Sequence, residues 1–295
     1  MKQTIRECLL ELQHELQAGI DFEVLAMVNS TQAGTLSFID DERFLDSLLQ
    51  NNAIQGVITN ESLAAKITTK YVLVHPDPRW FFYTLHNLVA SKQPQFPTEI
   101  HPNARVHPTA SIASYNVFIG DGCVIGPHVT IAHNVQLEQR VNVQAGVCLG
   151  NEGFEHKRTA QGILSVVHDG KLIIKPDVVI GANSTIAKGF SYRDTIIGTQ
   201  TKLDAQVYVA HCVHLGERCL LAGQCAVMGS VTVGNDVWIG PNAVVSSGLS
   251  IGSRAFITLG STVTKHVAEG VKVSGNFAIE HQQFLSILKK NINEL

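Results

Sequence analysis

One register dominates this sequence. Starting at Ile197 and stepping by six, the chain reads Ile197, Leu203, Val209, Leu215, Leu221, Val227, Val233, Ile239, Val245, Ile251, Ile257 and Val263, twelve aliphatics in succession. Residues of these three kinds fill about a quarter of an average chain, so chance does not produce such a run. The same step links Ile119 through Leu149 and Ile174 through Ile186, and Ile100, Val106 and Ile112 begin it. A period of six is too long for the alternation of one strand and does not fit the 3.6 of a helix. The residue after the aliphatic is often small, as at Gly120, Gly126 and Gly198, and the residue two before it is small and apolar, as at Val117 and Cys123. Each hexad therefore reads as a short strand plus a turn. Three hexads make a triangular coil of about 18 residues, and residues 18 apart stack. The expectation is a mainly β chain, a parallel β-helix of 24 hexads over residues 100–267, with the polar, out-of-phase stretch 151–171 pushed out as a loop.

Residues 1–99 lack the hexad. Helical spacing over Thr4–Gln17, strand-like runs at Leu36–Ile39, Gly56–Thr59 and Tyr71–Val74, and helical segments at Asp41–Gln50 and Pro78–Ala90 predict a small α/β domain closed by the linker Lys92–Glu99. Residues 268–295 form a tail with a helix over Ala278–Asn291. With 22 basic and 25 acidic side chains the formal charge is −3, which excludes a basic nucleic-acid footprint and a polybasic membrane anchor. Only 16 % of residues are charged and 45 % are hydrophobic, yet no apolar run reaches the ~18 to 20 residues of a membrane span. Residues 1–20 carry acids and amides where a signal peptide is apolar, so a cytoplasmic protein is expected. The six cysteines form no CxxC pair, as expected of free thiols in a reducing compartment.

A β-helix fills its inside with aliphatics, so chemistry belongs to its outward positions. Two hexads share a form, Ile131-Ala132-His133 and Val209-Ala210-His211, each placing histidine near a corner. Adding 18 to His211 gives Gly229, a glycine whose N–H lies open beside the imidazole. A neutral histidine suits proton abstraction and a bare N–H suits a developing oxyanion, which together are the kit for acyl transfer. Cys212 and Cys148 are candidate nucleophiles if their thiols are activated, whereas Cys123, Cys219 and Cys225 fall on inward positions. A metal set of His211, Cys212 and His214 is disfavoured, because strand alternation puts residues 211 and 212 on opposite faces, and no bound metal is expected. Phe38 and Phe44 bracket an acidic stretch and form either a nucleobase sandwich or plain core.

The segments AGTLSFIDDERF, GNEGF at 150–154, DTIIG at 194–198, VAHCVHLG at 209–216 and AGQCAVMGSVTVG at 222–234 resemble the UDP-3-O-acyl-glucosamine N-acyltransferase family of the hexapeptide-repeat acyltransferase superfamily. The resemblance covers nearly all of residues 20–275. It implies a left-handed coil and a homotrimer with active sites between subunits. It also implies His211 as general base, Gly229 as oxyanion donor, Phe38 and Phe44 stacking on uracil, and Gly153 and Phe154 near the sugar. No cofactor would be held permanently; an acyl-coenzyme A or acyl carrier protein would serve as donor. The sequence departs from the family at Gly248, where a second histidine is expected, and at Leu259–Lys265, which is similar to the last coils of coenzyme A acetyltransferases. Gly248, Gly260, Thr264 and Lys265 are thus the candidate donor-binding residues. The primary expectation is acyl transfer from a thioester to a UDP-linked amino sugar. The alternatives are the lipid A pathway N-acyltransferase with a carrier-protein donor, and a non-catalytic β-helix scaffold. Neither His133 nor His156 has an assigned part in catalysis.

Overall fold

A computed structural model describes residues 2–190, 193–275 and 280–293. The amino-terminal unit opens with α1 (Lys2–Glu11) and builds a parallel sheet from β1 (Val24–Leu25), β2 (Thr35–Phe38), β3 (Ile54–Thr59) and β4 (Tyr71–Val74), in that spatial order. Helices α2 (Leu45–Gln50), α3 (Glu61–Ala64) and α4 (Pro78–Ser91) connect and cover it. Helix α1 stops at Glu11, short of the predicted Gln17, and Gln13 takes a left-handed φ of 62° just beyond its end. Leu16 is buried all the same, so its apolar spacing reported burial and not helix. Proline in its first turn and Asp77, whose Oδ1 accepts from Trp80 N at 2.9 Å, fix the start of α4. Phe81, Phe82, Leu85 and Val89 of α4 then share one core with Ile5 and Leu9 of α1.

From Glu99 the chain winds into a left-handed parallel β-helix of three faces, with eight, nine and eight strands. The inward aliphatics stack in register, as in the column Ile131, Leu149, Ile186, Val209, Val227, Val245 and Val263 on the third face. Each fully buried side chain of this size contributes roughly 1.5 to 3 kcal/mol. Turning the corners needs a left-handed residue: positions 200, 206, 212, 218, 224, 230, 236, 242, 248, 254 and 260 all have φ between 54° and 74°. Only 248 and 260 of these are glycine, so most corners carry a strain of roughly 1 to 2 kcal/mol that the parallel ladder offsets. The stack also outlasts the hexads, because Lys272–Val273 pairs with Phe256–Ile257 as a last strand of the second face. That coil spans 16 residues where the others of this run span 18, which breaks the six-step and hid the strand from the sequence.

Both breaks in the rod leave from one edge, between the third face and the first. Cys148–Asn151 is followed by a detour back to Leu172–Ile174, and Thr185–Ala187 by a shorter one back to Thr195–Ile197. The longer detour is not an irregular loop but an antiparallel hairpin, His156–Thr159 against Gly162–Ser165. Its first strand, His-Lys-Arg-Thr, holds no apolar residue, so no burial pattern marks it in the sequence. The hairpin is tied to the amino-terminal unit. Asn87 donates to Ser165 O and accepts from Val167 N, both at 2.9 Å, and Ala160 N donates to the second oxygen of Asp77 at 2.6 Å. Past the rod, α5 (His281–Asn293) covers most of the predicted helical tail, and Ala278 lies outside the described residues. No helix among the described residues is long and apolar enough to cross a membrane.

Candidate active site

The edge that sheds both detours also carries His211. Its hexad ends the third-face strand Tyr208–Val209, so residues 211 and 212 occupy the following turn and are not placed by strand alternation. What separates them is the corner itself. Cys212 takes φ 59° and turns inward, its Sγ donating to Arg193 O at 3.2 Å, and burial pushes the thiol up to about 11. That removes Cys212 as a nucleophile, and burial raises the Cys148 thiol as well.

The imidazole of His211 lies against Gly229 one coil on: a Cβ at 229 would stand 2.7 Å from its Nε2. Gly229 N–H has no acceptor among the described residues. On its other side the ring meets Gly153, where a Cβ would stand 2.3 Å from Nδ1 and 3.0 Å from His168 Nε2. Two glycines therefore admit one histidine, and any side chain at either position displaces it. The hairpin supplies a carboxylate too. Glu155 Oε2 lies 3.4 Å from His211 Nε2, both side chains being less than one-sixth exposed, and its other oxygen holds Lys157. Burial alone would raise the Glu155 carboxyl, but His211 and Lys157 beside it overrule that and hold the group down at about 2. Lys157 in turn lies 4.9 Å over the Tyr83 ring of α4. A cavity of about 300 Å³ opens here between the amino-terminal unit and the rod, lined among others by Tyr83, Glu155, Lys157, Phe190, Arg193 and His211.

Two groups at this site, and a lysine below it, were not singled out by the hexads. His168 forms a ring triangle with His211 and Phe190, with centroids 5.2 to 5.3 Å apart. Its Nδ1 lies 3.2 Å from Val166 O and its Nε2 accepts from Gly153 N at 3.1 Å, which uses both nitrogens of a neutral ring. Burial, reinforced by the neighbouring His211, lowers it to about 4, so it is a fixed support for Gly153 and not a proton carrier near neutrality. Arg193, on the shorter detour, donates to Thr232 Oγ1 at 2.8 Å, while its buried Nε has no acceptor among the described residues. Lys188 is fully buried with Nζ 2.7 Å from His133 Nε2.

The other candidates are spread around this centre. Phe38 is half-buried against Phe82 and Tyr83, at 4.8 and 5.6 Å between centroids, and so reaches the site through Tyr83. Phe44 is on the 3-10 turn Glu42–Phe44 under the Arg43 guanidinium, with no ring contact to Phe38 among the described residues. Phe154 is 84 % exposed beside His156, whose Nδ1 meets Ser165 Oγ at 2.9 Å. Gly248 caps the same edge one coil above Gly229, its N–H donating to Gly229 O at 2.9 Å. Thr264 and Lys265 follow the last strand of the third face, on the His211 edge but about 14 Å above it at the ~4.8 Å spacing of strands. Gly260 follows a second-face strand and lies on a different edge. His133 belongs to the His211 edge but three coils below, stacked on Tyr115. No group of three or more His, Cys, Asp or Glu side chains arranged for a metal ion occurs among the described residues.

Two stretches of the rod match family models described as "Bacterial transferase hexapeptide (six repeats)", over residues 116–151, and "Hexapeptide repeat of succinyl-transferase", over 230–265. A UDP-3-O-acylglucosamine N-acyltransferase of Herminiimonas arsenicoxydans is 26 % identical over 89 % of this chain and 84 % of its own length. The chain is a hexapeptide-repeat protein similar to the UDP-3-O-acylglucosamine N-acyltransferases. Proteins of that name from Methylobacterium sp. and Wolinella succinogenes are 40 % and 33 % identical, over 46 % and 56 % of this chain. The chain spans 38 % and 52 % of the lengths of those two relatives. Among solved structures, a UDP-N-acetylglucosamine acyltransferase from Campylobacter jejuni shares the fold with a TM-score of 0.51, at 20 % identity over 65 % of this chain and 77 % of its own.

Proposed function

We propose that this chain is a sugar N-acyltransferase, moving an acyl group from a thioester to the amine of a UDP-linked glucosamine of the 3-O-acylated kind. The observation that carries the reading is the packing of His211, which lines the cavity, on Gly229. The relatives' names favour the 3-O-acylated acceptor over an unspecified amino sugar. His211 Nε2 takes a proton from the amine as its lone pair forms the C–N bond with the thioester carbonyl carbon. The carbonyl π electrons move to oxygen, which the Gly229 N–H receives. When the carbonyl reforms, the C–S bond breaks and the thiolate takes the proton back from the imidazolium, leaving amide and thiol. In this reading the unit 1–99 holds the nucleotide with Phe38 and Phe44 at the uracil, and Gly153 and Phe154 border the sugar. The donor thioester runs up the edge past Gly248 towards Thr264 and Lys265, with Gly260 reached from the neighbouring corner. The rod acts as a homotrimer. The six free cysteines fit a cytoplasmic location.

Gly248, where an added Cβ would meet no atom within 4 Å, leaves room beside the edge and favours a second reading of the donor, a shorter acyl group on coenzyme A. Mass spectrometry of UDP-glucosamine and its 3-O-acyl derivative, incubated with a panel of acyl-coenzyme A and acyl-carrier-protein donors, tests both readings. N-acylated product is expected with one donor class, and no product with any donor sinks the assignment. His211→Ala should keep the fold, by circular dichroism, and lose about 10² to 10⁴ of turnover; a variant as active as the parent removes His211 from the mechanism.

A further inference from the structure

An amine is a poor nucleophile while protonated, and a free sugar amine is largely ammonium at neutral pH if it titrates near the ~8 of an α-amino group. The site must therefore receive a cation and then deprotonate it. His211 Nε2 accepts that proton in the tautomer whose hydrogen is on Nδ1, and it does not by itself favour a cation over the hydroxyl of an ordinary hexose. Glu155 changes this. Its Oε1 is turned to Lys157, but its Oε2 is turned away from that lysine and towards His211 Nε2, at 3.4 Å. The carboxylate thus occupies the nitrogen that proton abstraction needs, in a cavity where both side chains are nearly buried. An ammonium nitrogen within hydrogen-bond reach of both atoms would donate one proton to Oε2 and one to Nε2.

We propose that Glu155 is the acceptor-ammonium site: its Oε2 and His211 Nε2 together grip the protonated sugar amine, and the carboxylate makes the protein select an amine over a hydroxyl at that carbon. The proposal rests on the acyl-transfer reading for its substrate, but its chemistry is one of binding. The ammonium proton passes to Nε2 and out to water, the free amine stays on Oε2, and the attack then proceeds as above. Lys157 keeps the carboxylate ionised and aimed, and His168 holds the hairpin so that Gly153 leaves the ring in reach. The hexads carry none of this, because Glu155 belongs to a detour that has no register.

The test is calorimetric titration of the full chain at pH 6.5 with UDP-glucosamine and UDP-glucose, which differ only in amine against hydroxyl. The wild type should bind the amino sugar about tenfold more tightly, as expected for one charge-assisted hydrogen bond. Glu155→Gln should bring the two affinities within about twofold by weakening the amino sugar alone, and Glu155→Asp, which keeps the charge, should restore part of the preference. A wild type that does not prefer the amino sugar, or a Glu155→Gln variant that keeps the full preference, overturns the proposal. The donor panel separates this from the acyl-transfer reading. Product formation with an unchanged preference in Glu155→Gln removes Glu155 alone, and a lost preference without product from any donor removes the transfer reading and leaves the amine site standing.

Discussion

Gly153 is the residue where the site is most tightly set. Gly153→Ala puts a methyl where His211 Nδ1 and His168 Nε2 already are, so the hairpin or the ring must move. A misplacement of about 1 Å in a base costs on the order of 10² in rate. The expected outcome is a fall of that size in kcat with circular dichroism unchanged. His168 gives a pH signature whose sign is fixed. Its pKa is about 4 in the fold against 6.5 for an unperturbed imidazole, so the unfolded chain binds the extra proton first as pH falls. Its stabilisation is complete above about pH 6.5 and is lost progressively towards pH 4, amounting to about 3 kcal/mol. Glu155 adds a second loss lower down, from the ordinary carboxylate range towards 2. Melting temperatures recorded from pH 7 to 4 should therefore fall less steeply for His168→Gln than for the parent, and parallel curves refute this assignment. Of the site, the sequence made His211 and Gly229 legible, because residues 18 apart in an uninterrupted run must stack. Glu155, His168 and Arg193 were not legible: they sit on detours whose path is set by contacts with α4 and the rod and not by any period.

Among the elements, the rod was readable because burial and register share one period, and each strand needs only two residues to state it. The hairpin was not, and its fixation is borrowed from its neighbours. Asp77 uses one carboxylate oxygen to cap α4 and the other to hold Ala160 N at the hairpin tip. Asp77→Ala should cost about 1 to 2 kcal/mol through the cap and speed amide exchange at Ala160 in the same variant. An unchanged rate there would mean that Asn87 and His86, whose Nε2 lies 2.9 Å from Val167 O, hold the hairpin without Asp77. The corners teach a related lesson. The left-handed residue is the third after each inward aliphatic, and it is more often Gln, Asn, Asp or Arg than Gly. Glycine spacing alone therefore underreads the turn.

At the scale of the whole molecule, the low charge of the chain follows from repetition: each hexad commits an aliphatic to the inside and small residues to the turn. Some apolar surface is nonetheless left outside. Leu220 and Phe256 are 43 % and 40 % exposed on the second face, where Trp238 stacks on Phe256 at 5.8 Å. Burial of such a column between copies is what a trimer would achieve. Sedimentation equilibrium should give three times the 32.0 kDa of one chain, and a monomer at micromolar concentration would count against it.

Both detours leave from one edge and rejoin the ladder in phase, so the two other edges run on without interruption. The rod is in effect a chassis with one socket. Loops grafted at 151–171 or 188–194 from a related rod should alter which acceptor is chosen while melting behaviour of the coils above and below stays as it was. New specificity in such a protein can be installed by exchanging one outgrowth, with no repacking of the interior.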